Sequence, residues 1–291
     1  MEDRPQTKPE ALPAQSTFIY MLDVDGVVTN PETKKPNPRI LAFIANSLLY
    51  NSRIAMATTR DYAWLEEFVI SPIRPYLSPD KMDNLFVSCE KAAVSVSFKN
   101  GQMRKKIDTS AVVPDILRKL IKEGLEKQNK TGVFNYPKEA VHTVEINGGD
   151  NEEETAQQQY ELDEFDRWLQ TEIMPRFPDF KADRTAIAVD IYHKSGNKMK
   201  SAQQFVEFLK EQGVELNDKH FIAIGDGKTD MEMAVGLRDS GQKVFFGWVG
   251  KGIPPTEEGI ETITPGTRSV NDQATVDLLA YLGEFSAFSR N

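Results

Sequence analysis

The sequence predicts an α/β protein, a parallel sheet with helices on both faces, interrupted by an inserted α+β domain. Three observations predict it. Apolar runs of strand length at 17–23, 53–58 and 220–225 do not alternate, as befits strands buried on both faces. A stretch of helical spacing follows each of them, so neighbouring strands need crossover connections and run parallel. Between the two sets lies a middle region where residues alternate or form hairpin signals, the pattern of a half-exposed antiparallel sheet.

In chain order, 1–15 reads as a disordered tail: it is polar, carries Pro5, Pro9 and Pro13, and has no apolar stretch of a signal peptide. The run 17–23 ends on Asp23. Pro38 suits the first turn of a helix over 38–50, with Ile40, Leu41, Ile44 and Leu48 at helical spacing. A second strand covers 53–58 and a helix 62–70. In the middle, 92–98 followed by Asn100-Gly101 reads as a hairpin. The segments 114–127 and 162–176 read as helices, and 140–146 and 185–192 as half-buried strands. The acidic stretch 148–155, Gly-Gly-Asp-Asn-Glu-Glu-Glu-Thr, reads as a solvated loop. Late in the chain, 201–212 is an amphipathic helix (Phe205, Phe208, Leu209) ended by Gly213. A strand over 220–225, a helix from Met231, a strand over 243–249 and a closing helix over 275–282 follow. The expected boundaries are 16–82 with 189–291 for the core and 83–188 for the inserted domain.

Bulk properties narrow the partners. The chain has 291 residues, 27% of them charged, and a formal net charge of -9, which argues against nucleic acid or an anionic membrane. No run of 18 apolar residues exists to span a membrane, and the cytoplasm is the expected location. Cys89 is the one cysteine, so an intramolecular disulfide and a cysteine-based zinc cluster are both excluded. Trp64, Trp168 and Trp248 read as packing residues, and His220 as the start of a core strand, at the end away from any site.

The chemistry gathers at the predicted strand ends. They carry Asp23-Val-Asp25-Gly26, Thr58-Thr59-Arg60-Asp61 and Gly225-Asp226-Gly-Lys-Thr-Asp230. Ligands of open α/β sheets bind outside the carboxyl ends of the strands, so four acids and a hydroxyl are expected to converge there. Carboxylates that close repel one another unless a cation lies among them. An all-oxygen set suits Mg²⁺. Asp25 would point away from Asp23 on a regular strand, so a turn at Val24-Asp25-Gly26 has to bring it round. Asp61 reads as a helix cap, and Asp230 is open to that role too.

Asp-x-Asp-Gly-Val, strand-terminal Thr58, Lys198 and Gly-Asp-x-x-x-Asp, in that order, resemble the haloacid dehalogenase superfamily of phosphatases. The resemblance covers about 16–82 and 190–291 and implies a Rossmann-like core. It implies Asp23 as the nucleophile that forms an aspartyl-phosphate, and Asp25 as the general acid/base. Thr58 and Lys198 would hold the phosphoryl group, and the Gly26 backbone would approach it. Mg²⁺ would sit among Asp23, the Asp25 carbonyl and Asp226, with Asp230 in or just behind that shell. Asn197-Lys198 before a helix with Ser201-Ala202 resembles the family's Asn-Lys-Gly-x-Ala-Leu pattern, an alignment that selects Lys198, with Met199 in place of the usual glycine; Lys200 is the alternative. Thr59 departs from the family's Thr-Gly-Arg, so Thr59 and Arg60 become candidates for substrate contact.

An insertion between the Thr and Lys elements resembles a type-2 cap, found in the branch of sugar phosphatases, trehalose- and sucrose-phosphate phosphatases and phosphomannomutases. Such a cap implies a small phosphate ester, in particular a phosphosugar, as the partner. Within it, alternation puts His142 with Val144 on one strand face and Thr143 with Glu145 on the other. Either a polar pair there reaches a sugar hydroxyl or the surface simply faces solvent; His193 poses the same choice. Two other functions compete: a phosphosugar mutase, and a non-catalytic ligand-binding or regulatory protein on the same fold. Oligomeric state is not readable from one chain.

Overall fold

A computed structural model describes residues 18–128, 130, 132–149 and 151–283; the expected N-terminal tail lies outside them. Strand β1 (Phe18–Asp23) is buried along its whole length. It is covered on both faces and so has no polar alternation. Helix α1 (Pro38–Leu49) begins at Asn37, whose side chain accepts the Arg39 N–H, and Pro38 takes the first turn, where its missing N–H costs nothing. Its buried stripe is Ile40, Phe43, Ile44, Ala45 and Leu48. After β2 (Ile54–Ala57), Asp61 caps α2 (Tyr62–Leu65) by accepting the Trp64 N–H. The helix then widens into a π-helical turn over Glu66–Ile70 before α3 (Ser71–Ile73). Pro72 has no N–H to give to the preceding turn, which accounts for the widening there. Then come α4 (Pro79–Met82), β3 (Leu85–Cys89), β4 (Val94–Lys99) and β5 (Gln102–Ile107). The β4–β5 turn is Asn100-Gly101, both at positive φ, and the Asp83 carboxylate accepts both of their N–H groups.

The next elements are α5 (Asp115–Lys127), β6 (Val133–Pro137), β7 (His142–Ile146), α6 (Glu152–Trp168), β8 (Phe180–Arg184) and β9 (Ala188–His193). The four strands form an antiparallel sheet in the order β6-β7-β9-β8. Val133, Val144, Ala182, Val189 and Ile191 on one face share a core with Leu117, Ile121, Leu162 and Phe165 of the helices. His142 lies on this same face, 1% exposed, with its ring nitrogens toward Asn135 and Arg118. Burial, and then the Arg118 charge, push its pKa down to about 4. The acidic stretch is not all loop, as the sequence suggests. Asn151 accepts the Glu154 N–H, and Glu152, Glu153 and Glu154 form the first turn of α6. Negative charge there meets the unpaired N–H groups of a helix start, so the acids favour helix over loop.

The chain returns through α7 (Lys198–Glu211), β10 (His220–Gly225), α8 (Met231–Asp239), β11 (Lys243–Trp248), β12 (Glu261–Ile263) and α9 (Asn271–Tyr281). The large sheet runs β12-β11-β10-β1-β2-β3-β4-β5 among the described residues. Strands β12 through β3 are parallel, and β4 turns back antiparallel to β3. One face packs Phe205, Leu209, Met233 and Leu237 of α7 and α8 against Met21, Phe221 and Phe246. On the chain's contacts, one compact unit takes in the described residues up to Lys106 and from Asn197 onward, and the other is Ile107–Gly196. The breaks thus fall at 106/107 and 196/197, not at the expected 82/83 and 188/189. Strands β3 to β5 account for the first shift, because they extend the large sheet.

Two outcomes follow. Phe205 is fully buried, with ring centroids 5.7 Å from Phe86 and 6.3 Å from Phe221. Phe205→Ala is expected to cost about 3–5 kcal/mol, read from urea unfolding. His142, lowered on folding, binds its proton better in the unfolded chain, so the stability it contributes is present above pH 6.5 and lost as pH falls from there toward about 4. Across that window wild type should lose on the order of 3 kcal/mol relative to His142→Gln, measured by unfolding at each pH.

Candidate functional site

β1 lies between β10 and β2 in parallel register, with Leu22 opposite Ile224 and Asp23 opposite Ala57. The residues that follow each strand, Val24 to Gly26, Thr58 and Asp226, therefore emerge side by side at one edge. After Asp23 the backbone leaves the strand: Val28 and Thr29 both donate N–H groups to the Val24 carbonyl at 2.9 Å. Gly26 turns the chain at φ 78°, and a Cβ there would stand 2.1 Å from Asp226 Oδ2. Glycine thus serves twice, permitting the turn and letting the Asp226 carboxylate lie against the backbone.

Helix α7 delivers the cation. Asn197 caps it by accepting the Lys200 N–H at 2.8 Å, and the Lys198 N–H donates to Glu232 Oε2 at 3.3 Å. The Lys198 ammonium lies 2.7 Å from Asp23 Oδ1 and also donates to Asp230 Oδ1. The other Asp230 oxygen accepts the N–H groups of Asp226 and Gly227 at 2.9 and 2.8 Å. Asp230 therefore fixes the turn carrying Asp226 and holds the lysine; its side chain does not cap α8. Gly225 allows this fold-back, since a Cβ there would meet Asp230 Cβ at 2.1 Å.

The electrostatics follow from burial. Asp23, Thr58 and Asp230 are 6%, 4% and 2% exposed. Burial, opposed by Lys198 and reinforced by Asp230 and Asp25, holds the Asp23 carboxyl well above the usual carboxylate range. Burial, with Asp230 beside it, raises Asp226 to about 6. Burial alone would push Lys198 down, but Asp23 and Asp230 outweigh it and hold its pKa above the ordinary lysine value. Asp23, Asp226 and Asp230 each offer a carboxylate oxygen within 4.8 Å of the others. Three acids around one ammonium leave negative charge uncompensated, and an all-oxygen donor set is what a hard divalent cation takes. These residues fit such an ion.

The Thr58 hydroxyl accepts the Arg60 N–H at 3.1 Å, which leaves its own proton for donation to an anion. Arg60 runs its guanidinium onto Asp25, with Nε 3.0 and 3.1 Å from the two oxygens and Nη2 2.6 Å from Oδ1. It also lies 3.8 Å over the Trp64 ring. Trp64 is thus a platform for a cation, where the sequence suggests packing alone. The pairing of Arg60 with Asp25 has no sequence signal, because the two meet only through the shapes of two separate loops. Thr59 is half-buried in the same loop. His142, Glu145 and His193 lie in the Ile107–Gly196 unit. His142 belongs to that unit's core, Glu145 to the opposite strand face, and His193 Nδ1 lies 2.7 Å from Ser195 Oγ.

No protein-family model and no curated protein matches the sequence. Solved structures do match. Trehalose-6-phosphate phosphatase from Aspergillus fumigatus is 18% identical, with 93% of each chain covered and a TM-score of 0.52. The C-terminal domain of trehalose-6-phosphate phosphatase from C. albicans is 13% identical, with 92% of this chain and 93% of that one covered and a TM-score of 0.62. A haloacid dehalogenase-like hydrolase from Bacteroides thetaiotaomicron is 14% identical, with 91% and 99% covered and a TM-score of 0.64. The chain therefore shares the fold of haloacid dehalogenase-like hydrolases, as its motifs imply. No helix among the described residues is long and apolar enough to cross a membrane.

Gly26→Ala tests the tight approach at the edge. The positive φ and the 2.1 Å clash with Asp226 Oδ2 together demand movement. The backbone part alone is expected to lower stability by about 1–2 kcal/mol in urea unfolding.

Proposed function

We propose that this protein is a phosphatase that hydrolyses a small phosphate monoester, with Asp23 as nucleophile and Mg²⁺ as its metal. The observation that carries the reading is the Lys198 ammonium held between the buried Asp23 and Asp230, within a cluster of three carboxylates completed by the half-buried Asp226. Asp23, Asp226 and Asp230, with the Asp25 carbonyl, would hold Mg²⁺, which supplies charge to offset that on the phosphoryl oxygens.

On this reading an Asp23 oxygen attacks phosphorus and the bond from phosphorus to the ester oxygen breaks, leaving an aspartyl-phosphate. Asp25 gives its proton to the departing alkoxide. It then takes a proton from water, whose oxygen attacks phosphorus and releases phosphate and the Asp23 carboxylate. Thr58 donates its hydroxyl to one phosphoryl oxygen, Lys198 neutralises another, and the Gly26 turn lets backbone N–H groups come near. Arg60 holds Asp25 in place through its two-point ion pair, and their partial exposure lets the pair open to substrate.

The Ile107–Gly196 unit serves as the inserted cap and sets which ester is taken, with Glu145 and His193 as candidate contacts. Two of the fold's relatives are trehalose-6-phosphate phosphatases, which favours a phosphosugar as the substrate class. A cytoplasmic location is part of the same reading.

The test is hydrolysis of p-nitrophenyl phosphate, with and without Mg²⁺, by wild type and Asp23→Asn. Wild type should turn over only with a divalent ion, and the variant should lose at least about a thousandfold in kcat. Equal activity in the two proteins would discard Asp23 as nucleophile. Phosphate release across a panel of sugar phosphates then identifies the class of ester.

A further inference from the structure

Between β3 and β4 three consecutive residues, Glu90, Lys91 and Ala92, stand in the left-handed region at φ 50°, 57° and 65°. None is glycine, asparagine or aspartate, so the turn is strained and persists because its surroundings hold it. Those surroundings are the segment carrying Thr58 on one side and the helix carrying Lys198 on the other.

Toward Thr58 there are three backbone hydrogen bonds. The Thr58 N–H donates to the Ser88 carbonyl at 3.0 Å, the Lys91 N–H to the Thr58 carbonyl at 3.4 Å, and the Glu90 N–H to the Arg60 carbonyl at 3.2 Å. Toward α7 the bonds come from side chains. The Gln204 amide donates to the Ala92 carbonyl at 3.0 Å. The buried Ser88 hydroxyl lies 2.8 Å from Ser201 Oγ and 3.4 Å from Gln204 Oε1. Ser201 and Gln204 sit one and two turns beyond Lys198 on the same helix. Between these ties and the polar bonds at the two ends of α7 (the Lys198 N–H to Glu232, and the Gln212 amide to the Asp83 carbonyl at 3.2 Å), the helix packs through the apolar Ala202, Phe205 and Leu209, and apolar packing alone does not specify its axial position as a polar tie does.

We propose that this turn, with Ser88 and Gln204, is a clamp that sets the spacing between the Thr58 hydroxyl and the Lys198 ammonium. The proposal rests on the phosphatase reading, in which those two groups hold the same phosphoryl group. Ser88 and Gln204 are positioning residues: each acts through Thr58 or Lys198.

Gln204→Met keeps the side chain's length and removes both of its bonds, and Ser88→Ala removes one hydroxyl. For each, kcat and KM are measured with p-nitrophenyl phosphate and Mg²⁺, alongside the unfolding midpoint and the affinity for orthovanadate, which mimics five-coordinate phosphorus. The expected result is a fall of about tenfold in kcat and in vanadate affinity, with KM within about twofold of wild type. A role in stability alone would lower the midpoint and leave kcat and vanadate binding at wild-type values; that result overturns the proposal. If Gln204→Met does not fold, Ser88→Ala decides by the same readings. A wild type that neither turns over the ester nor binds vanadate overturns the phosphatase reading and the clamp together. An active wild type with an inactive Asp23→Asn and unchanged clamp variants overturns the clamp alone.

Discussion

The ammonium of Lys198 lies 2.7 Å from Asp23 and is bonded to Asp230 as well, and the rest of the sheet edge is arranged around that contact. Asp23 and Asp230 are buried and lose the hydration that keeps a carboxylate ionised, and with the half-buried Asp226 they also repel one another. One lysine offsets part of that cost. It reaches the acids because Asn197 starts its helix at the right residue, and because Gly225 and Gly26 remove the side-chain atoms that would hold Asp230 and Asp226 away. Asp230 then joins the two halves of the arrangement, taking the lysine with one oxygen and the Asp226–Gly227 backbone with the other. The acids, the lysine and the two glycines are one electrostatic unit, and a change at any of them is felt by the others.

That unit was readable from residues alone wherever a fold-wide constraint acts on a short segment. β1, β2 and β10 are covered on both faces, so their sequences are continuously apolar up to the residue that carries chemistry. Turn chemistry likewise betrayed Asn100-Gly101, the Asp61 cap and the Gly26 bend. Polar strands were not readable. Phe180–Arg184 contains two cations and an acid in five residues, and it is a strand because β9 pairs with it rather than because of its own composition. Leu85–Cys89 is apolar enough, but its membership of the large sheet depends on β2, a partner the local pattern does not name.

Side-chain pairs that bridge loops were invisible for the same reason. Arg60 with Asp25 and Ser88 with Gln204 lie 35 and 116 positions apart, and none of the four residues carries a local signal of its partner. Such pairs belong to tertiary structure, and they are what turns a set of motif residues into fixed geometry. His142 shows the converse. Its residue type invites a reading as a contact, yet strand alternation places it beside Val144 on the side that faces the helices, where burial keeps it neutral.

The position of β1 also governs how the chain is made. Its two sheet neighbours are β2, which begins about thirty residues on, and β10, which begins about two hundred residues on. At ribosomal rates of about 5–20 residues per second, roughly ten to forty seconds pass between the emergence of β1 and that of β10. During that interval one edge of β1 lacks its pairing partner, and the Asp23 end lacks the lysine that offsets its charge. The nascent chain is therefore most open to mispairing while its central strand waits.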